Sequence, residues 1–236
     1  AKTLQEIAGN YEEGIVLRNE KEYNKEEIGL SQKNELKELK DLNLLDRFLF
    51  AESAENPEFM ELLLQIILEK PLRLKELPQA EKEARKTTWS KQIRLDVWAM
   101  DQEDTVYDTE VQKKNTKNLP RRSRLYHGVI DSKLLPPGTV DYNSLPDSYV
   151  IMIMPFDFGG KGLYRYTFKM MCEEVPGLIL DDGATRIFLN TRGTERGDAS
   201  KELVELLRYF ENSTQAQAER SESEHIQAMH KIVEAV

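Results

Sequence analysis

The sequence predicts an α/β protein in which helices flank a sheet, and three observations support this fold class. The run from Ser148 to Phe156 is continuously apolar and bounded by turn residues, which is typical of a central strand covered on both faces. The segment from Ile93 to Gln112 holds two β-prone runs around a polar turn, which indicates a hairpin. Between the hairpin and the central strand, apolar residues at helical spacing predict a crossover helix. It begins near Pro120 and is ended by residues 136–138.

Before the hairpin the sequence predicts two helices and one strand. Asn56 is a suitable N-cap for the second helix, with Pro57 at its first helical position. Residues 72–77 alternate between apolar and polar and predict a first strand, whereas residues 80–92 are polar and predict a connection. The first helix is predicted from apolar residues at helical spacing, namely Leu44, Leu45, Phe48 and Leu49.

After the central run the pattern predicts two more strands and a helical end. Leu163–Phe168 alternates, and Thr185–Asn190 is a second short strand. Ser200 is positioned to cap a helix that follows, and the polar residues beyond Thr214 are expected to be helical without a strong apolar face. We therefore divide the chain into a charged extension (1–42), an α/β domain (43–211) and a polar helical tail (212–236).

The composition restricts the partners that this protein can have. A net charge of −9 argues against an electrostatic grip on nucleic acid by the whole surface, although a local basic groove stays compatible with it. No apolar run reaches the length of a membrane span, so no membrane partner is expected. The single cysteine, Cys172, excludes an intramolecular disulfide; with no signal segment in the sequence, we expect a reducing cytoplasm.

The predicted hairpin carries acids where a strand pair is normally apolar. Asp96 lies within its first run, and Glu110 lies near the end of the second. If Asp101 pairs with Thr105 around a three-residue loop, Asp96 falls opposite Glu110 on the same face. Like charges repel there, so the pair calls for a cation, and a divalent ion held by two carboxylates and several waters is one candidate. The alternative is that both acids lie on a solvated sheet face.

A strongly basic stretch follows these acids directly. Between Lys113 and Ile130 there are six basic residues and no acidic ones, in a chain whose net charge is −9. A metal site beside a basic surface is the electrostatic layout that a phosphodiester substrate requires. The alternative is a solvated basic helix face. The six residues are Lys113, Lys114, Lys117, Arg121, Arg122 and Arg124.

Five sequence blocks resemble the PD-(D/E)XK nuclease family transposases, bacterial proteins related to the recombination-promoting nucleases. The resemblance covers residues 43–211. It implies a restriction-endonuclease-like mixed sheet flanked by helices, an edge hairpin that bears the site, and cleavage of DNA that depends on Mg²⁺ or Mn²⁺. The blocks are "LLDRFLFAE", "IRLDVWAMD", "VYDTEVQKKN", "LPRRSRLYHGVIDSKLLPPGTVDY" and "DSYVIMIMPFD".

The resemblance also implies roles for individual residues. It makes Asp96 and Glu110 metal ligands, with the Val111 carbonyl as a third and Asp46 as an additional acid near the metal. Asp46 is equally consistent with an acid that offsets the helix dipole. Leu95 stands where the family name would place a proline.

Gln112 departs from the family's pattern because it stands where the motif has lysine. A neutral amide can orient a water or a phosphate oxygen, but it cannot bring positive charge to the transition state. Lys114, on the same face if the strand is regular, could supply that charge instead.

Two functions from different classes follow. The first is a metal-dependent DNA endonuclease with Asp96, Glu110, Gln112 and Lys114 as catalytic residues. The second is a catalytically silent descendant that binds nucleic acid or protein, favoured by Gln112 and the overall acidity. The sequence leaves an oligomer open. In the endonuclease, DNA is expected to be held with little sequence preference by a basic set, namely Lys113, Lys117, Arg121, Arg122 and Arg124.

Overall fold

Within the described residues the sheet has six strands in the order β1-β2-β3-β4-β6-β5, with antiparallel pairs at both ends and parallel pairs in the middle. The computed structural model describes residues 42–84, 93–135 and 137–236. The expected N-terminal extension therefore lies outside the described residues, apart from residue 42. The strands are β1 (Gln79–Ala84), β2 (Ile93–Met100), β3 (Val106–Val111), β4 (Ser148–Met154), β5 (Arg165–Phe168) and β6 (Ala184–Asn190).

The helices begin where the capping residues of the sequence place them. The Asn56 side chain accepts hydrogen bonds from the backbone of Glu58 and Phe59, and Ser200 accepts one from Leu203. The α-helices are α1 (Arg47–Ala54), α2 (Pro57–Leu68), α3 (Leu119–Leu134), α4 (Lys201–Glu211), α5 (Gln215–Arg220) and α6 (Glu224–Val233).

The sheet separates two apolar cores, so the fold has three layers. Because strand residues alternate, Val97 and Ala99 face the larger core, which the apolar sides of α1, α2, α4 and α6 complete. Trp98 and Val106 face the smaller core, which is closed by α3. The predicted fold class, α/β with a mixed sheet flanked by helices, is confirmed, and α3 is the predicted crossover between β3 and the buried β4.

The register of the hairpin is the one that the turn predicts. Val97 pairs with Thr109, and the Asp101 backbone N–H bonds the carbonyl of Thr105 at 3.0 Å. Continuing this antiparallel register by one residue places Asp96 opposite Glu110. A shift of one residue would have sent the two side chains to opposite faces.

Two predictions before the hairpin are wrong. Residues 72–77 form no strand and contribute only an isolated bridge from Leu74 to Asp101. Instead Gln79–Ala84, predicted as a connection from residue 80, is the edge strand β1 and pairs with β2. The hairpin of β2 and β3, which the resemblance placed at the edge, therefore lies inside the sheet. The sequence QAEKEA hides this strand because it has no apolar face, and the pairing comes from its backbone.

The polar tail is helical as predicted, but it has a buried apolar face. Ile226 and Met229 are fully buried in the larger core, and Val233 lies beside them. The tail thus packs with the helices of the α/β domain. None of the helices in the described ranges combines the length and apolarity that crossing a membrane requires.

Candidate active site

A cavity of about 360 Å³ opens at the end of the hairpin, where β2 begins and β3 ends. Both acids predicted from the hairpin line it. Gln112 and Val111 follow Glu110 in the lining, and three further residues come from α1 and α3. The lining residues are Arg47, Asp96, Glu110, Val111, Gln112, Arg122 and Tyr126.

The two acids of this cavity are buried, although both are carboxylates. Asp96 is 8% exposed and Glu110 is 2% exposed. Alternation along β2 and β3 turns both side chains towards α3, on the side of the sheet that carries the smaller core. Burying a carboxylate costs free energy unless it is paired, so two at one place require nearby positive charge.

Two arginines supply that charge within the chain. Arg47, the first residue of α1, forms an ion pair with Asp96, and Arg122 on α3 forms one with Glu110. The Arg122 guanidinium also lies 5.6 Å from the ring centre of Tyr126, one helical turn later. The sequence predicted a cation here but named neither arginine as the partner of a carboxylate.

These surroundings shift the pKa of Glu110 strongly. Burial and then the nearby Asp96 charge raise the pKa of Glu110 to about 7, against the opposing effects of Arg122 and the hydrogen bond from Tyr126. Near neutral pH the carboxyl group is therefore close to the midpoint of its titration. A cation that entered the cavity would favour the carboxylate form.

Asp108 is a third acid, on the same face of β3 as Glu110, for which no role was predicted. It is fully buried, and neither carboxylate oxygen has a hydrogen-bond partner among the described residues. Burial, followed by the charges of Glu110 and Asp96, raises the pKa of Asp108 well above its usual range. Its position two residues before Glu110, on the same face of the strand, was the only feature of the sequence that indicated a place beside the site. It lies one pleat inside the sheet from the cavity and does not line it.

The three residues after Val111 separate into one that lines the cavity and two that do not. Gln112 lines it, and its Nε2 donates to the Lys114 carbonyl at 2.6 Å, which orients the amide. Lys114 has an exposed side chain outside the lining. Lys113 bonds the Asp46 carboxylate at 2.9 Å, and Asp46 also caps α1 by accepting from the Phe48 backbone. Asp46 therefore serves the helix terminus and does not line the cavity.

The remaining basic residues are exposed and do not line the cavity. Lys117, Arg121 and Arg124 are exposed on the loop before α3 and on α3 itself. Arg122 differs from them because it is partly buried against Glu110, and its buried Nε has no hydrogen-bond partner in the part of the chain that is described. That Nε is a spare donor beside the cavity.

The comparison with protein families decides the identity of the fold. The family model for PD-(D/E)XK nuclease family transposases matches residues 44–236. The chain belongs to this family. No curated protein and no solved structure matched the chain. The match continues through α5 and α6, in agreement with their packing in the core.

PD-(D/E)XK nucleases typically use divalent metals, and the donor set here fits such an ion. Asp96 and Glu110 provide hard oxygen ligands at one buried point, and Val111 can reach the cavity only through its backbone, because its side chain packs in the opposite core. In the described part of the chain, no group of three or more His, Cys, Asp or Glu residues is arranged to hold a metal. An ion bound here would therefore complete its coordination with water or substrate oxygens.

Proposed function

We propose that this PD-(D/E)XK nuclease family transposase is a DNA endonuclease that requires Mg²⁺ or Mn²⁺. The observation that carries the proposal is the pair of buried carboxylates, Asp96 and Glu110, opposite each other across a hairpin and lining one cavity. Such a pair is costly for folding, and a hard divalent ion is the ligand that it suits. The single cysteine in the chain supports a cytoplasmic site of action.

The chain's own residues would hold the ion and the phosphate. Asp96, Glu110 and the Val111 carbonyl would hold the ion, with Asp46 near the site but held by Lys113. A bound ion would supply Lewis-acid polarisation of the phosphate and a more acidic water. Gln112 would orient a water or a phosphate oxygen through its amide.

Positive charge at the scissile phosphate would come from side chains that the ion releases. Arg47 and Arg122 each neutralise one carboxylate. With the charge of the carboxylates balanced by a bound ion, Arg47 and Arg122 would be able to contact phosphate oxygens in a fork geometry. Lys114 remains the residue predicted to substitute for the motif's lysine, and its exposed side chain would have to turn inward to do so.

DNA would be held mainly through its backbone. Lys117, Arg121 and Arg124 are exposed on the loop before α3 or on α3, the helix whose Arg122 lines the cavity, and Lys113 bonds Asp46 at the start of α1. Contacts of this kind position a duplex without reading its sequence. We therefore propose cleavage with little sequence preference.

The test is nicking of supercoiled plasmid by purified protein with Mg²⁺, with Mn²⁺ and with a chelator. Asp96→Asn and Glu110→Gln keep the side-chain shapes and should abolish nicking while the protein stays folded. Glu103→Gln, which alters an exposed acid in the turn of the same hairpin, should leave nicking unchanged. Cleavage that survives both site variants would assign the activity to another site or to a contaminant.

One specific observation favours the second candidate, a catalytically silent module that binds nucleic acid or protein. Arg47 and Arg122 already neutralise the two carboxylates, and Gln112 carries no charge. In that case neither Mg²⁺ nor Mn²⁺ would raise the melting temperature of the wild-type protein. A rise for the wild type that is absent in Glu110→Gln would support the endonuclease.

A further inference from the structure

The largest cluster of exposed apolar side chains lies far along the chain from the cavity, between β5 and β6. Residues 168–180, which we term the apolar ribbon, contain seven large apolar side chains that are each between 43% and 63% exposed. Only six other large apolar residues are that exposed among all the residues described. The seven are Phe168, Met170, Met171, Val175, Leu178, Ile179 and Leu180.

The apolar ribbon is a hydrogen-bonded hairpin. The Leu180 N–H donates to Met170 at 3.0 Å, and the Cys172 N–H donates to Leu178 at 2.9 Å. Its tip is a turn closed by a bond from Leu178 to Val175, in which Gly177 has a φ of 85° and follows a proline. This backbone conformation favours glycine, as in a type II turn. The chain therefore holds these apolar side chains in a defined arrangement.

Both faces of the apolar ribbon are apolar. Met171 pairs with Ile179, so these two side chains share one face, and the neighbouring pair of Met170 and Leu180 occupies the other. A surface hairpin normally has one polar face, whereas this one exposes apolar side chains on both. Exposed apolar patches of more than a few hundred Å² are typical of interaction sites.

The charged residues in and next to the apolar ribbon restrict the kind of partner that it can bind. Glu173, Glu174, Asp181 and Asp182 surround it, against a single lysine at position 169. This acidic rim opposes both the phosphates of DNA and an anionic membrane surface. The partner is therefore a protein with a matching apolar surface.

We propose that the partner is a second copy of this chain and that the apolar ribbon is a dimerisation arm. The sheet ends at β5 in the part of the chain that is described, so its outer edge can pair with the β5 of another copy about a two-fold axis. The ribbon of each copy continues directly from its β5, so in an antiparallel pair the two ribbons lie at opposite ends of the joint, each beside the other copy. Over both faces the seven half-exposed side chains offer on the order of 700 Å², and one face offers about half of that. The ribbon and the β5 edge together would therefore approach the ~800 Å² that each partner buries in a standard interface.

This dimer leaves the catalytic hairpins free. β2 and β3 lie towards the opposite end of the strand order from β5, so the proposed joint does not cover the cavity. Each copy would present its own cavity on a separate side of the assembly. The proposal is independent of nuclease activity, because it rests on the ribbon alone.

The experiment is light scattering coupled to gel filtration, over a range of protein concentrations. The wild-type protein should have twice the 27.4 kDa mass of one chain. The double variant Leu178→Glu/Leu180→Glu should dissociate at concentrations roughly a hundredfold higher than the wild type, as loss of central apolar contacts would cause. A second variant, Met171→Glu/Ile179→Glu, tests the other face and covers the case in which the first fails to fold.

The matched control is Leu77→Glu/Val140→Glu, which places the same charges at two exposed apolar positions outside the ribbon. It should remain dimeric. A wild-type mass of one chain at every concentration would overturn the proposal, as would folded ribbon variants that dimerise like the wild type.

Discussion

Arg122 on α3 donates a hydrogen bond to the buried carboxylate of Glu110 on β3. The helix that covers the smaller core therefore also neutralises the innermost acid that lines the cavity. Glu110 is 2% exposed, while the Arg122 side chain keeps a quarter of its surface in contact with solvent. This contact links the stability of the fold to the chemistry of the cavity.

Replacing Arg122 should destabilise the protein in a way that depends on Glu110. Arg122→Ala leaves a buried carboxylate without its partner, so we expect a loss of about 3 kcal/mol in the free energy of unfolding at pH 8. The loss should shrink below pH 7, because Glu110 can then take up a proton. Urea denaturation at the two pH values measures both effects.

Two further variants test this dependence on Glu110. Adding Glu110→Gln to Arg122→Ala should restore most of the lost stability, and Arg121→Ala, at the exposed neighbour, should cost little. Equal losses for Arg122→Ala with and without Glu110→Gln would show that the arginine acts through packing alone.

The source of positive charge at the phosphate can be assigned by comparing Arg47→Ala with Lys114→Ala. Arg47 lines the cavity and Lys114 does not, so Arg47→Ala should depress turnover more. Loss of one preorganised charged contact costs about 2–4 kcal/mol in the transition state, or a rate factor on the order of 100–1,000. Single-turnover cleavage at saturating protein measures this step. A larger effect of Lys114→Ala would return the role to the lysine first predicted.

The exposed basic residues should affect DNA binding uniformly. Lys117→Ala, Arg121→Ala and Arg124→Ala should each weaken binding to unrelated duplexes equally and reduce the slope of log affinity against log salt by about 0.9. Fluorescence anisotropy of labelled duplex without divalent ions measures this. Lys231→Ala, an exposed lysine on α6, serves as the control. A loss confined to one DNA sequence would contradict a backbone-only role.

His127 should make the fold sensitive to acid. Its Nδ1 lies 2.9 Å from the Ser148 hydroxyl, and burial, followed by the charge of Arg186, lowers the pKa of His127 to about 4. Between pH 6.5 and 4 the unfolded chain binds the proton that the folded chain excludes, so stability falls as pH decreases through this window, by up to about 3 kcal/mol. His127→Gln should remove this part of the pH dependence in thermal unfolding. A pH dependence of stability that is the same in His127→Gln as in the wild type would contradict this role of His127.

The terminal helix α6 should be essential to the fold. Met229→Ala opens a cavity in the larger core, and we expect a loss of about 2–5 kcal/mol in unfolding free energy. Lys231→Ala, two residues later and exposed, should change it by less than about 0.5 kcal/mol. Chemical denaturation distinguishes the two. Similar values for both would mean that the tail is dispensable.

Local patterns in the sequence were sufficient to predict much of the site. The apolar run at 148–156, the caps Asn56 and Ser200, and the turn that follows Asp101 each act over a few residues, so each could be recognised without the fold. The hairpin register follows from its turn, and it sets Asp96 opposite Glu110. The sequence by itself therefore determined which two acids meet and that they share one face of the hairpin.

The tertiary structure decided what surrounds those acids. Arg47 is 49 residues from Asp96, and such a contact leaves no periodic trace in the sequence. The strand at 79–84 has no apolar face and is held through the backbone of β2. The apolar face of α6 comprises only a few residues among polar ones, so the sequence pattern does not reveal it. It is recognised only from the packing of Met229 in the core. In each case the deciding interaction joins distant segments, and a pattern within one segment cannot encode it.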